Sequence, residues 1–337
     1  MKMRNKILSP FALMFFMPIL LGGCGAALTP NPSAPEPGKL RQQAVNIMRT
    51  ALASDDPLIR CQAIETVAAT ETLALMPQIH KLLKNDYVLV RFAAALAIGD
   101  MRYPPARRSL MMLREKGDER SRLAAAYALL RLGYDNNWPQ ITQALQSSDQ
   151  SLRANAVMVL SKLEGERALN MLYWAKDADD SDITVRLQAA EGIAKLGDKR
   201  IYSKLWTLLI SKYIENKIIG ICAMADLGTE DSKDAIITML GDDVPEIRLT
   251  AAGQLGKLGY DLGEPEVLTV LRERSYAGAE EPAQIRIKTL AAMAIGYIGT
   301  DALKAYLPEL LSDNNPSVRL AAANAVFQCV DKTGFSD

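Results

Sequence analysis

Apolar and polar positions along this chain repeat with a period close to 31 residues. The clearest copy is Val185 to Gly197, V-R-L-Q-A-A-E-G-I-A-K-L-G. A basic residue stands near its start, a small residue follows three places later and an aliphatic one seven places later. The same arrangement recurs at Arg60, Arg91, Arg122, Arg153, Arg186, Lys217, Arg248, Lys288 and Arg319, with spacings of 31, 31, 31, 33, 31, 31, 40 and 31 residues. A fixed period of this length marks a stack of supersecondary units, each burying its face only against its neighbours.

Within a unit the period is helical. Plus three is Ala in eight copies and Gly220 in the ninth; plus seven is always apolar, from Val67 to Val326. Three and seven lie one turn apart on a single helix face, so a close-contact seam runs beside a filling residue. Plus ten is mostly apolar, and Gly133, Gly197, Gly228, Gly259 and Gly299 stand at plus eleven, where glycine ends a helix in a left-handed cap. Turn and N-cap chemistry precedes the anchors at Asp55-Asp56-Pro57, Asn85-Asp86, Asp118, Asp149, Asp182, Asp243 and Asn314-Asn315-Pro316. A shorter amphipathic helix comes first in each unit, as at Leu73 to Leu83, Ala106 to Leu113, Lys204 to Ile210 and Leu303 to Leu311. The expected fold is all-α, with about nine two-helix repeats over residues 39–331 and a short tail at 332–337.

This pattern resembles the HEAT-like repeats, in particular the short form found in phycobilin-lyase-type proteins. Asp86, Val90-Arg91 and Ala93-Ala94-Ala95 carry the resemblance, as do Asn315, Val318-Arg319 and Ala321-Ala322-Ala323. Repeat six departs from it with Asn216-Lys217 and Gly220, and repeat eight with Lys288 and no turn aspartate. The resemblance implies a right-handed α-α superhelix. It also implies that the anchor arginines bond the turn aspartates of their own or the adjacent repeat as a ladder. Function follows less directly, because such repeats carry many different partners.

The chain begins differently. Lys2, Arg4 and Lys6 precede an apolar run, Ile7 to Leu21, interrupted by Ser9, Pro10 and Pro18. That run is shorter than the roughly 20 apolar residues of a membrane span and has the layout of a secretory signal over residues 1–23. Leu21-Gly22-Gly23-Cys24 resembles the lipobox of bacterial lipoproteins, which implies cleavage before Cys24 and acylation of that cysteine. Several acyl chains anchor a protein where one is marginal. Gly25 in place of an aspartate implies, by the same family's sorting pattern, the outer membrane, with the folded part facing the periplasm. Residues 24–38 hold Pro30, Pro32, Pro35 and Pro37 and are expected to form an extended tether.

Charge narrows the partners. The whole chain carries 39 basic and 39 acidic residues; without residues 1–23 it loses three basic ones. No basic excess remains for a nucleic-acid partner. Four cysteines are few for a disulfide scaffold. With Cys24 assigned to lipid, Cys61, Cys222 and Cys329 fall in repeats one, six and nine, too far apart to bridge, and are expected to remain thiols, mostly buried. The single histidine, His80, leaves no multi-histidine metal site, and its expected role is packing or surface. Trp138, Trp174 and Trp206 are expected to pack. No cofactor and no metal are expected, and the chain reads as non-enzymatic.

Second helices usually line the concave side of such stacks, with plus two, plus five and plus nine exposed. Plus five reads Glu65, Leu96, Tyr127, Met158, Glu191, Cys222, Gly253, Met293 and Asn324; plus nine reads Ala69, Asp100, Arg131, Lys162, Lys195, Asp226, Lys257, Tyr297 and Gln328. Leu96, Tyr127 and Met158 are expected to form an apolar strip flanked by Arg131, Lys162 and Lys195, suited to an extended peptide or partner helix. Charged residues at Tyr127 and Met158 are then expected to abolish partner capture with helicity intact. Two loops break the period: K-D-A-D-D-S-D at 176–182, which lacks the central Gly and closing Glu of a calcium loop, and residues 275–284, expected to project as a contact loop. The function expected from all this is a membrane-anchored scaffold or adaptor for a protein partner. The alternatives are a lyase-like or ligand-handling subunit, or an assembly factor for an envelope complex.

Overall fold

The computed structural model describes residues 37–178 and 182–332. The segments expected to be signal, lipobox and most of the tether lie outside them, as does the middle of the 176–182 loop. The described residues are helical throughout, without a strand. Nine helix pairs follow one another. The second helices are Pro57–Ala69, Val88–Asp100, Glu119–Arg131, Gln150–Leu160, Ile183–Lys195, Ile214–Leu227, Pro245–Lys257, Glu281–Ile298 and Pro316–Lys332. Pro37 and Gly38, expected in the tether, open the first helix, Pro37–Ala51.

Some of the expected caps stand where the sequence places them, but the helices expected to start at Asn85-Asp86 and Asp243 open on Tyr87 and Val244 without a side-chain cap. Asp56, Asp118, Asp149 and Asp182 each accept a backbone N–H from the first turn of their helix, satisfying donors the helix leaves open. Asp118 also accepts from Ser121 Oγ and Arg91 at 2.6 Å. Burial raises its carboxyl, yet these hydrogen bonds outweigh that and hold it below the usual range. All five plus-eleven glycines have positive φ. In repeats one and two the same position is held by Glu71 and Arg102, also at positive φ. Gly133→Ala, at φ 90°, is expected to cost about 1 kcal/mol, since a Cβ is unwelcome in left-handed backbone. A urea midpoint equal to the parent's at unchanged m-value would contradict this.

The anchors do not form the expected carboxylate ladder. Arg60, Arg91, Arg153, Arg248 and Arg319 each donate Nη1 to the backbone carbonyl six residues earlier, at 2.5–2.8 Å. That carbonyl belongs to the turn leaving the first helix, where no intrahelical donor remains. The arginine thus pins the second helix to the end of the first. Cross-repeat pairing to an acidic partner occurs at Arg91 with Asp118 (2.6 Å), Arg248 with Glu266 (2.8 Å) and Lys288 with Asp313 (2.8 Å). In repeat eight the helix gains a turn at its front, and Gln284 takes the arginine's place, donating to Ala279 O at 2.8 Å. The 275–284 segment therefore does not simply project: Tyr276 is buried, with Lys288 Nζ 5.4 Å from its ring centroid.

Every plus-three and plus-seven position is buried, which is the seam and filler the pattern predicts. Close helix contacts follow from this row of small residues. Two compact units result, described separately. One is Ala51–Ser232; the other joins residues 37–50 to 233–332. Inside the second unit, Arg41 of the first helix lies 4.9 Å from the ring centroid of Phe327 in the last.

Cys61 and Cys329 are buried and Cys222 is half-buried, none of them in a disulfide. Burial pushes the Cys61 thiol up to about 12, so it is a poor nucleophile. His80 Nε2 lies 2.8 Å from Ser109 Oγ, its ring edge-on to Tyr103, a helix-packing role. The tryptophans divide. Trp138 is half-buried under Arg167, whereas Trp174 and Trp206 are exposed, against expectation.

Candidate functional site

The strip expected on the surface of repeats two to four is inside. Tyr127 is 0% exposed, and Leu96 and Met158 are 8% exposed. None of the nine plus-five residues is exposed, and neither is any plus-two residue. The reason lies at plus eight, where Gly99 precedes Asp100. A Cβ on Gly99 would sit 2.7 Å from Tyr127 Cε1 and 2.9 Å from Ala128 Cα. Second helices of consecutive repeats approach this closely, so one repeat's plus-five side chain is covered by its neighbour. A charge at Tyr127 or Met158 therefore tests folding rather than capture, and the apolar strip is withdrawn as a contact surface.

The basic margin meets acidic residues instead of standing alone. Tyr127 donates its hydroxyl to Asp100 Oδ1. Lys162 Nζ donates to Asp100 Oδ2 at 2.8 Å, although 62 residues separate them. Asp100 and Lys162 are plus-nine residues two repeats apart, so the inner face of Ala51–Ser232 is narrow enough for alternate repeats to touch. Glu65, at plus five of repeat one, completes the cluster. Its carboxyl is pushed up to about 8, by burial first; the Lys162 charge opposes this and the Asp100 charge adds to it. Burial likewise lifts the Tyr127 phenol well above its usual range, with Asp100 adding to the effect.

The same arrangement occurs further along. Glu191 and Asp226 repeat the 35-residue separation of Glu65 and Asp100. Glu191 is pushed up to about 7, again chiefly by burial, with Lys195 opposing and Asp226 adding. Of the expected basic residues, Lys195 is exposed and Arg131 and Lys162 are half-buried, with Arg131 3.8 Å from Glu164. The inner face thus presents both signs of charge, two of its carboxyls holding a proton near neutral pH. The four acidic residues were missed, although a glutamate at plus five followed by an aspartate at the next plus nine is visible twice in the sequence. No cluster of three or more His, Cys, Asp or Glu side chains fit to hold a metal occurs among the described residues. No described helix is long and apolar enough to cross a membrane.

The middle of the calcium-like loop, residues 179–181, lies outside the described residues. Among curated proteins none matches the chain. Solved structures do. Human deoxyhypusine hydroxylase is 16% identical, covering 87% of this chain and 98% of its own, with a TM-score of 0.36. The complex of CpcE and CpcF, a phycocyanin lyase from Nostoc, is 16% identical, covering 80% and 98%, with a TM-score of 0.43. Kap121p is 16% identical, covering 85% of this chain and 37% of its own, with a TM-score of 0.33. At these identities the likeness concerns the fold alone. The reading of the chain as non-enzymatic is withdrawn, since a hydroxylase and a lyase stand among the solved structures it resembles. HEAT repeats match at residues 45–131, 110–184 and 138–214, which together span half of the chain, and on that match this protein belongs to the HEAT-repeat family.

Proposed function

We propose that the chain is a scaffold or adaptor of the bacterial cell envelope. It is held there by acyl chains on Cys24 and binds a protein partner along the inner face of Ala51–Ser232. The observation that carries this reading is the row Asp100, Arg131, Lys162, Lys195 and Asp226. These residues recur once per repeat, with both signs of charge, over a buried apolar layer. Such spacing suits an extended polypeptide with charges of both signs, whose approach is steered by complementary potentials. Leu96, Tyr127 and Met158 serve this surface from beneath, by fixing the helices that display it.

A photo-crosslinking side chain at position 195, irradiated in cells, is expected to yield one discrete adduct. The same group at position 108, on a first helix, is expected to yield none. Equal patterns at both positions would remove the inner face from consideration. Cys24→Ser is expected to abolish incorporation of labelled fatty acid and release the chain from the membrane fraction; unchanged labelling would remove the anchor from the reading.

A second reading, a ligand-handling subunit, is favoured by one observation. Glu65 and Glu191 keep protons close to neutral pH beside lysines and aspartates, and displaced carboxyl pKa values gather at functional sites. A small molecule retained through purification, and lost in a Glu191→Gln variant, would favour it over the scaffold.

A further inference from the structure

The plus-eight position of a second helix faces the second helix of the following repeat. Gly99 meets Tyr127 and Ala128 in this way; likewise a Cβ on Gly256 would lie 2.6 Å from Ile298 Cγ1, and one on Gly296 would lie 2.8 Å from Ala325 Cα. Seven of the first eight repeats hold Gly, Ala or Ser there, Leu130 being the exception. Repeat nine has no successor, and its plus-eight residue is Phe327. The last repeat of a stack needs a polar outer face or a cap, and a phenylalanine is no polar face. Yet the ring is only 5% exposed. The first helix, Pro37–Ala51, is what lies over it, with the Arg41 guanidinium 4.9 Å from the ring centroid. Arg41, Ala44 and Met48 are three and four places apart and share one helix face. Ala44 and Met48 are both 0% exposed. The opposite side of the helix is polar and bonds within itself: Gln42 and Arg49 both donate to Asn46 Oδ1, at 3.3 and 2.8 Å. One narrow face therefore seats this helix, and residues 37–50 fall in one compact unit with 233–332.

We propose that the helix Pro37–Ala51 is a strap. It takes the place a tenth repeat would occupy, seals Phe327 of the last second helix and supplies the polar outer face which that repeat lacks. Repeat nine is then stable only while the opposite end of the chain is seated on it. The strap is held by a single face, so it lifts from Phe327 without unfolding the repeats behind, as local openings of low stability do. Size agrees with this assignment. The other plus-eight positions are small because a second helix comes close, whereas the wide ring of Phe327 fills the space beneath a helix seated through Ala44, Met48 and the stem of Arg41. The strap is separate from the inner face and does not depend on what binds there, nor on how Cys24 is modified.

Hydrogen exchange of the full-length chain, resolved by peptide, tests it. Met48→Lys is expected to speed exchange in residues 316–332 roughly tenfold, with residues 119–160 exchanging as in the parent. An ordinary first helix of repeat one would send the change to residues 57–69 and leave 316–332 untouched. Arg41→Glu changes an exposed side chain that folding does not need, and is expected to give a severalfold acceleration in the same 316–332 peptides; it decides the matter if Met48→Lys fails to fold. The effect is expected to run both ways, so that Phe327→Ala speeds exchange in residues 37–51. The proposal is overturned if residues 316–332 exchange at the parent's rate in Arg41→Glu, or if residues 37–51 do so in Phe327→Ala. Acceleration spread equally over all repeats in Arg41→Glu also overturns it, since the helix would then be part of the common core and not a strap.

Discussion

Tyr127→Ala is expected to lower the unfolding free energy by about 3–5 kcal/mol, the range for removing a fully buried aromatic ring. The ring is wholly buried and rests against Gly99, where there is no room even for a methyl group. Its loss leaves a cavity between two second helices whose backbones cannot close further. The hydroxyl matters separately. It donates to Asp100, and a hydrogen bond to a charged acceptor contributes about 1.5–3 kcal/mol. Because Lys162 still pairs with Asp100 in the variant, Tyr127→Phe is expected to cost about 1–2 kcal/mol, toward the low end of that range. Urea denaturation followed by helical circular dichroism measures both. Repeat proteins lose stability locally, so hydrogen exchange should show the loss centred on repeats two to four. An alanine variant within about 1 kcal/mol of the parent would mean that the ring is not the packing element described.

The second large effect depends on pH. Glu65→Gln is expected to leave stability nearly unchanged at pH 5 and to raise it by about 1–3 kcal/mol at pH 9. The folded-state carboxyl is pushed up to about 8 from an ordinary 4.5. Near pH 4 both folded and unfolded chains hold the proton. Between about 4.5 and 8 the unfolded chain releases it while the folded chain keeps it, so stability falls as pH rises. Above 8 the loss is complete. A tenfold difference in proton affinity between the two states corresponds to about 1.4 kcal/mol, and screening at a half-buried group trims the total to the range given. Glutamine has no proton to lose and keeps the neutral shape, so it removes the slope. Parallel stability–pH curves for parent and variant would show that Glu65 ionises normally. Glu191, pushed up to about 7, is expected to behave alike over a narrower window.

The repeat was legible because its rules are local. Plus-three alanines and plus-seven aliphatics face inward at every repeat, and the plus-eleven glycines adopt the backbone only they enter easily. Arg91 was placed correctly as an anchor, but most of its kind bond carbonyls rather than aspartates. A carbonyl at a helix end is present in every repeat whatever the side chain, so sequence contains no trace of it. The candidate site was legible only in its residues and not in their exposure. The charged plus-nine row was visible, whereas the strip beside it was assigned to the wrong side of the surface. Exposure at plus five depends on how far one helix stands from the next, and that distance is set by residues such as Gly99 in combination with a ring one repeat away. Trp174 and Trp206 were expected to pack and do not, because nothing in their own helices says that no neighbour covers them.

What the sequence determined by itself is the unit and its period. These rest on helix periodicity, caps and small-residue seams, all of which act within about one turn of the chain. Only the tertiary structure decided which residues of that unit meet across repeats. Lys162 reaches Asp100 over 62 residues, and Glu65 holds its proton because the packed helices bury it, with Asp100 adding to this and Lys162 opposing it. Such contacts depend on the accumulated rotation of one repeat on the next, a quantity summed over many side chains and encoded at no single position.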